Sequence, residues 1–179
     1  YDPNGAFDGL GVGQTAMDTF SYQISDGQGG TGTAVVTITI NGQNDTPVVI
    51  DPARPGVPPL DPTAIIPAQT GVDGSAISPL TVGAYFRDPD GGDTLRLSTV
   101  GGLPPGVTFN AATGTFSGTP TAAASQGGPA GNGVYVVQVV ADDGHGGVAS
   151  TLVRFTISNP SPTAGADSGE AESAVRSNP

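Results

Sequence analysis

The feature that most restricts this chain is a pattern written twice. Residues 20–40 read FSYQISDGQGGTGTAVVTITI and residues 137–157 read VQVVADDGHGGVASTLVRFTI. An offset of 117 lays Asp26-Gly27-Gln28-Gly29-Gly30 on Asp143-Gly144-His145-Gly146-Gly147. In both copies apolar residues alternate before and after the turn, which is the period of a strand. Phe20, Tyr22 and Ile24 share a face and match Val137, Val139 and Ala141; Ala34, Val36, Ile38 and Ile40 match Thr151, Val153, Phe155 and Ile157. Thr37, Thr39, Arg154 and Thr156 point the other way. Each copy is expected to be a β-hairpin with one buried and one wet face, closed by a Gly-rich loop. A hairpin that recurs at the end of each unit predicts tandem β domains.

Further short strands, bounded by turns, are expected between the copies at about 63–69, 76–86, 94–100, 106–109 and 115–118, ahead of the hairpin strands 133–141 and 148–157. Seven strands within 47–160 fit an immunoglobulin-like Greek-key sandwich. Residues 1–46 supply only the last strands of an equivalent domain, so that copy is expected to be truncated. Residues 161–179 show no apolar periodicity and read as a disordered tail or the start of another linker. Composition agrees: 29 Gly and 17 Pro among 179 residues leave no room for long helices. Seven of those prolines fall in 47–67, an extended, semi-rigid connector. Either this whole segment is connector, or Pro47-Val48-Val49-Ile50 is itself the first strand and the prolines form a loop after it.

Charge narrows the function. Sixteen Asp and Glu stand against five Arg and no Lys, a net charge of −11. Without a basic patch, nucleic-acid binding is excluded. No apolar run reaches the ~20 residues of a membrane span. With no Cys there are no disulfides, thiolate nucleophiles or Cys-ligated zinc. Rigidity must come from packing, from repetition or from a hard cation.

The residues at this point carry a resemblance. Tyr85-Phe86-Arg87-Asp88-Pro89-Asp90-Gly91-Gly92-Asp93-Thr94-Leu95 is followed by Leu103-Pro104-Pro105-Gly106-Val107-Thr108-Phe109 and Thr113-Gly114-Thr115-Phe116-Ser117-Gly118-Thr119-Pro120. The turn at Ala141-Asp142-Asp143-Gly144 completes the series. In that order the segments resemble the bacterial putative-Ig and dystroglycan-type cadherin-like repeats of large surface proteins. Residues 1–46 resemble the C-terminal part of a VCBS-type repeat, through Tyr1 to Asp8, Asp18-Thr19-Phe20-Ser21-Tyr22, Ser25-Asp26-Gly27 and Asn44-Asp45-Thr46-Pro47. The resemblance implies long secreted or surface-displayed RTX-like adhesins, with many such domains in series and calcium at the junctions of the cadherin-like members. Neighbouring repeats of the same chain are then the first partners, and a cell-surface protein or glycan the outside one.

The sandwich topology brings the loop after its second strand and the loop of its last hairpin to one end. That end gathers Asp88, Asp90 and Asp93 with Asp142 and Asp143. Five carboxylates there repel unless a cation sits among them. Calcium, which takes six to eight hard oxygens in tolerant geometry, is the expected ion. The competing account is turn chemistry alone, since Asp favours turns by bonding its own backbone. In related modules a pair such as Asn44-Asp45 donates oxygens to the same junction. Here it precedes the first clear strand by about eighteen residues, so its reach to the site stays open. Asp26, the counterpart of Asp143, is expected to face whatever precedes this chain.

Other motifs carry little. Gly27 to Gly32 fits GxGxxG, but strand follows where a dinucleotide site needs a helix. The Asp88–Asp93 run lacks the fifth-position ligand of an EF-hand and has Thr99 in place of its Glu. Gly29 to Thr33 opens like an RTX nonapeptide, but Ala34 replaces the Asp. His145, the sole histidine, assembles no triad and no zinc site, and no enzyme is expected. A carbohydrate-binding or spacer module of a secreted polysaccharide-active protein is the alternative function. It requires exposed rings, with Tyr85, Tyr135 and Phe155 the candidates.

Overall fold

The structure is a computed structural model that describes residues 1–54, 56 and 65–161. The tail from 162 and residues 55 and 57–64 of the proline-rich stretch lie outside these described residues, and with them the expected strand start at 63 and 64. The described residues form eleven strands: β1 (Thr15–Ser25), β2 (Thr31–Asn41), β3 (Val48–Val49), β4 (Gln69–Val72), β5 (Leu80–Thr81), β6 (Phe86–Arg87), β7 (Arg96–Val100), β8 (Val107–Asn110), β9 (Thr115–Gly118), β10 (Val134–Asp142) and β11 (Val148–Ser158). Among the described residues helix is confined to single 3-10 turns at Gly83–Tyr85 and Ala124–Gln126.

Residues 65–161 with β3 build a two-layer sandwich. One sheet has the order β4-β11-β10-β7 and the other β5-β9-β8, while β3 pairs with β6 in a short ladder. The all-β immunoglobulin-like reading of the sequence holds. The alternation in β10 and β11 does what its period requires: Val137, Val139, Ala141, Val153 and Phe155 are fully buried. Phe116 from the opposite sheet meets Phe109 at 4.6 Å and Phe155 at 5.3 Å between ring centroids. Tyr135 is buried too, and its hydroxyl donates to the Ala124 carbonyl at 2.9 Å, which satisfies the one polar atom the ring carries inward.

Three expectations change. The strand expected at 76–86 is broken by the 3-10 turn into β5 and β6. The strand placed at 63–69 begins only at Gln69, where β4 runs parallel to β11. Of the two accounts of Pro47–Ile50, the structure adopts the one with a strand, since Val48 and Val49 pair antiparallel with Arg87 and Phe86.

The first hairpin, β1–β2, has full register from Thr15↔Asn41 to Ser25↔Thr31. Its expected buried face is not buried: Phe20 and Tyr22 are 49% exposed and Ile24 63%. The same pattern in β10–β11 is covered by a second sheet and by flanking strands, and among the described residues β1–β2 has neither. Alternation therefore sets which side chains share a face, and only neighbouring layers decide whether water reaches it.

Candidate metal centre at the joint between the two units

The ladder β3–β6 is what builds the site. Because Val48 lies opposite Arg87, the residues before β3 run beside the residues after β6. Asn44 and Asp45 are thereby laid along Asp88–Asp93, across 45 residues of sequence in the case of Asp45 and Asp90. The third wall comes from the β10–β11 hairpin, whose loop carries Asp143. Gly147 closes that loop so near Thr46 and Pro47 that a Cβ would overlap them, so the linker and the hairpin loop touch.

The carboxylates converge. One oxygen each from Asp88, Asp90 and Asp93 lie within 4.8 Å of one another. Asp90 is 3% exposed; its Oδ2 accepts the Asp45 backbone N–H at 2.8 Å, and its own N–H donates to Asp88 Oδ1 at 2.9 Å. Asp143 is 5% exposed; its Oδ2 accepts the Asn44 side-chain amide at 3.0 Å. Its Oδ1 accepts the N–H groups of His145 and Gly147. The Asn44 amide, and after it these N–H groups, hold the Asp143 carboxyl below its ordinary value against the opposing effect of burial. His145 Nδ1 lies 3.0 Å from Asp93 Oδ2, so the lone histidine touches the rim of the cluster.

Asp142 stands apart. With Ala141 buried, the next side chain of β10 falls on the outer face, opposite Arg96 and Val148. Its carboxylate caps its own turn by accepting the Gly144 N–H at 2.6 Å. The period of β10 could have shown this, since odd positions face inward and 142 is even. Asp26 lies at the far tip of β1–β2, where it accepts the N–H groups of Gln28 and Gly30. Those bonds hold its carboxyl below the ordinary value. It is the same turn as at Asp143 without the surrounding cluster.

Turn chemistry explains part of this bonding but leaves a remainder. Asn44 Oδ1, Asp88 Oδ2 and Asp90 Oδ1 are buried and accept no hydrogen bond. Buried acceptors ordinarily find donors, because an unmatched one costs its full desolvation. Three unmatched oxygens on two adjoining segments, next to further carboxylates, are what a hard cation complements. The donor set, all oxygen and mostly anionic, suits calcium and not zinc. Asn44, Asp88, Asp90, Asp93 and Asp143 are the residues that could hold it.

Sequence reasoning missed Asp73. It follows β4 beside Ser158, about 33 Å of strand from the joint. It is 7% exposed, takes the Ser125 N–H on Oδ1 at 3.1 Å and has no partner on Oδ2. Burial, and next the Asp73 charge, raise the Tyr135 hydroxyl above its ordinary value. The rings named for sugar binding form no platform, because Tyr135 and Phe155 are core and Tyr85 is half-buried against it.

The family model described as "Putative Ig domain" matches residues 60–159, more than half the chain. The chain belongs to this family. A second model, "Bacterial Ig domain", matches residues 1–39. No curated protein matches the chain. Among solved structures, mouse cadherin-23 EC22-24 is similar at 13% identity and TM-score 0.49, over 80% of this chain and 43% of that one. Drosophila N-cadherin EC1-4 is similar at 11% identity and TM-score 0.42, over 72% of this chain and 28% of that one. An endo-fucoidan hydrolase of glycoside hydrolase family 107 is similar at 18% identity and TM-score 0.42, over 86% of this chain and 19% of that one. The chain spans less than half the length of each. No helix among the described residues of this Ig-domain protein is long and apolar enough to cross a membrane.

Proposed function

We propose that this Ig-domain chain is a non-enzymatic structural repeat module of an extracellular bacterial surface protein, and that calcium stiffens the joint between its two units. The observation that carries the reading is the set of three buried, unmatched oxygens on Asn44, Asp88 and Asp90. Linker and sandwich loop contribute to the same cluster, so an ion bound there ties the units together. Calcium would sit among these oxygens with Asp93 and Asp143, neutralise their mutual repulsion and fix the linker against the loop. An ion that binds only the folded, joined state stabilises it by about 2.7 kcal/mol at a hundredfold excess over its Kd. The wider setting in this reading is an RTX-like adhesin, with residues 1–46 as the last strands of a VCBS-type repeat. Its partners are the adjacent repeats and, beyond them, a surface protein or glycan.

The test is a calcium titration of the melting temperature. A rise of several degrees between chelator and about 10 mM calcium, the upper end for extracellular modules, is expected. No shift over that range removes calcium from the reading.

A further inference from the structure

We infer that Gln14 is a clasp that aligns the two units before any cation binds, and so positions the carboxylate loop for its ion. This deepens the reading above, on which only its calcium arm rests.

The residue makes four bonds that no turn requires together. Its side-chain Oε1 accepts the Gly11 N–H at 3.1 Å, and its Nε2 donates to the Gly91 carbonyl at 2.9 Å, 77 residues away. Its backbone N–H donates to Gly11 O at 3.1 Å, and its backbone carbonyl accepts the Gly42 N–H at 2.9 Å. One residue thus joins the turn before β1, the linker after β2 and the loop between Asp90 and Asp93. The Gly91 N–H closes the contact from the other side by donating to Gly9 O at 3.0 Å.

The surrounding glycines show that this approach is close-fitting. A Cβ on Gly11 would lie 3.3 Å from Asp90 Cβ, and one on Gly42 would overlap the carbonyl oxygens of Gly11 and Leu10. The backbone of 9–11 therefore lies directly on the Asp88–Asp93 loop. None of these bonds uses a carboxylate, so the clasp does not need the ion. It holds Gly91, between two of the proposed ligands, while Asp90 meets the Asp45 N–H of the linker and Asp93 meets His145 of the hairpin loop. The cation then locks a joint that is already aligned.

The experiment is a distance measurement by paired spin labels on the full chain. The chain has no Cys, so Thr33→Cys on the first hairpin and Ser78→Cys on the sandwich label without background. Both positions are exposed. The clasp predicts one narrow distance distribution in chelator. Gln14→Ala should broaden it, with the ratio of aligned to unaligned molecules falling about two- to tenfold, the worth of the one hydrogen bond that crosses to Gly91. Gln14→Glu keeps the length and the acceptor for Gly11 but not the donor to Gly91, and should broaden it as well. Calcium should narrow both variants again, at a several-fold higher half-saturating concentration. Both variants should leave the melting of the 65–161 sandwich in chelator unchanged, because Gln14 lies outside its core. An equally narrow distribution for Gln14→Ala and the parent in chelator overturns the clasp, as does a parent that is broad without calcium. If calcium alters none of the proteins while the chelator difference persists, the cation reading fails and the clasp stands.

Discussion

Replacing Asp90 with Asn should have opposite effects with and without calcium. Asp88, Asp90 and Asp93 each bring an oxygen within 4.8 Å of the other two, so Asp90→Asn deletes two of three repulsive pairs. At that separation a pair costs about 0.9 kcal/mol at the dielectric constant of water and about 3.5 at an effective value of ~20. Asp88 and Asp93 are only half-buried, which favours the lower end and a relief of about 2 kcal/mol. Against this, the bond from the Asp45 N–H loses its charge assistance, about 1 kcal/mol. In chelator the variant should be about 1 kcal/mol more stable, a rise of about 4 °C or more in Tm for a unit of this size. In calcium the order reverses. The proposed ligand lost is the most buried of the three, and a tenfold weaker site would forfeit about 1.4 kcal/mol of ion-derived stability. Differential scanning calorimetry of both proteins in both buffers reads the crossing directly. Equal destabilisation in chelator and in calcium would refute the electrostatic reasoning and leave Asp90 as an ordinary turn residue.

Two other outcomes are expected. Phe116→Ala removes a fully buried ring from between Phe109 and Phe155 and should cost about 3–5 kcal/mol by urea denaturation; a loss under about 1 kcal/mol would mean that the two sheets are not packed through it. Asp143 has a lowered carboxyl pKa in the folded state, so its contribution to stability is complete above the ordinary value of 3.8 and is lost as pH falls through the lowered one. An NMR titration in chelator should place the Asp143 carboxyl midpoint below 3.8, and Asn44→Ala should move it upward, because the Asn44 amide is the largest cause of the shift. A midpoint that does not respond to Asn44→Ala would show that the linker is not seated on the hairpin loop in solution.

Local pattern and chemistry were legible where the period of two applies over many residues. The β10–β11 and β1–β2 hairpins, the Asp-Gly-x-Gly-Gly turns and the shorter strands β7 to β9 lie within a few residues of where alternation puts them. So does the acidic character of one pole, because Asp88, Asp90 and Asp93 sit in one turn. Two-residue strands such as β3, β5 and β6 have no period to detect, and the ladder of β3 with β6 is the one that assembles the joint. Whether Asn44 and Asp45 reach the carboxylates depended on Val48 pairing with Arg87, a contact between residues 39 apart that no local signal announces.

The sequence by itself determined the two-copy hairpin plan, the sandwich class and a concentration of oxygen ligands without any soft ones. It did so because strand period, turn chemistry and side-chain donor type are properties of short segments. Only the tertiary structure decided which side chains stand together: it set Asn44 on Asp143, turned Asp142 outward, set His145 against Asp93 and laid Gln14 on Gly91. It also left Phe20, Tyr22 and Ile24 of β1 exposed while burying their counterparts Val137, Val139 and Ala141 in β10. Each of these outcomes depends on which distant strands lie alongside, and that is a property of the packed chain.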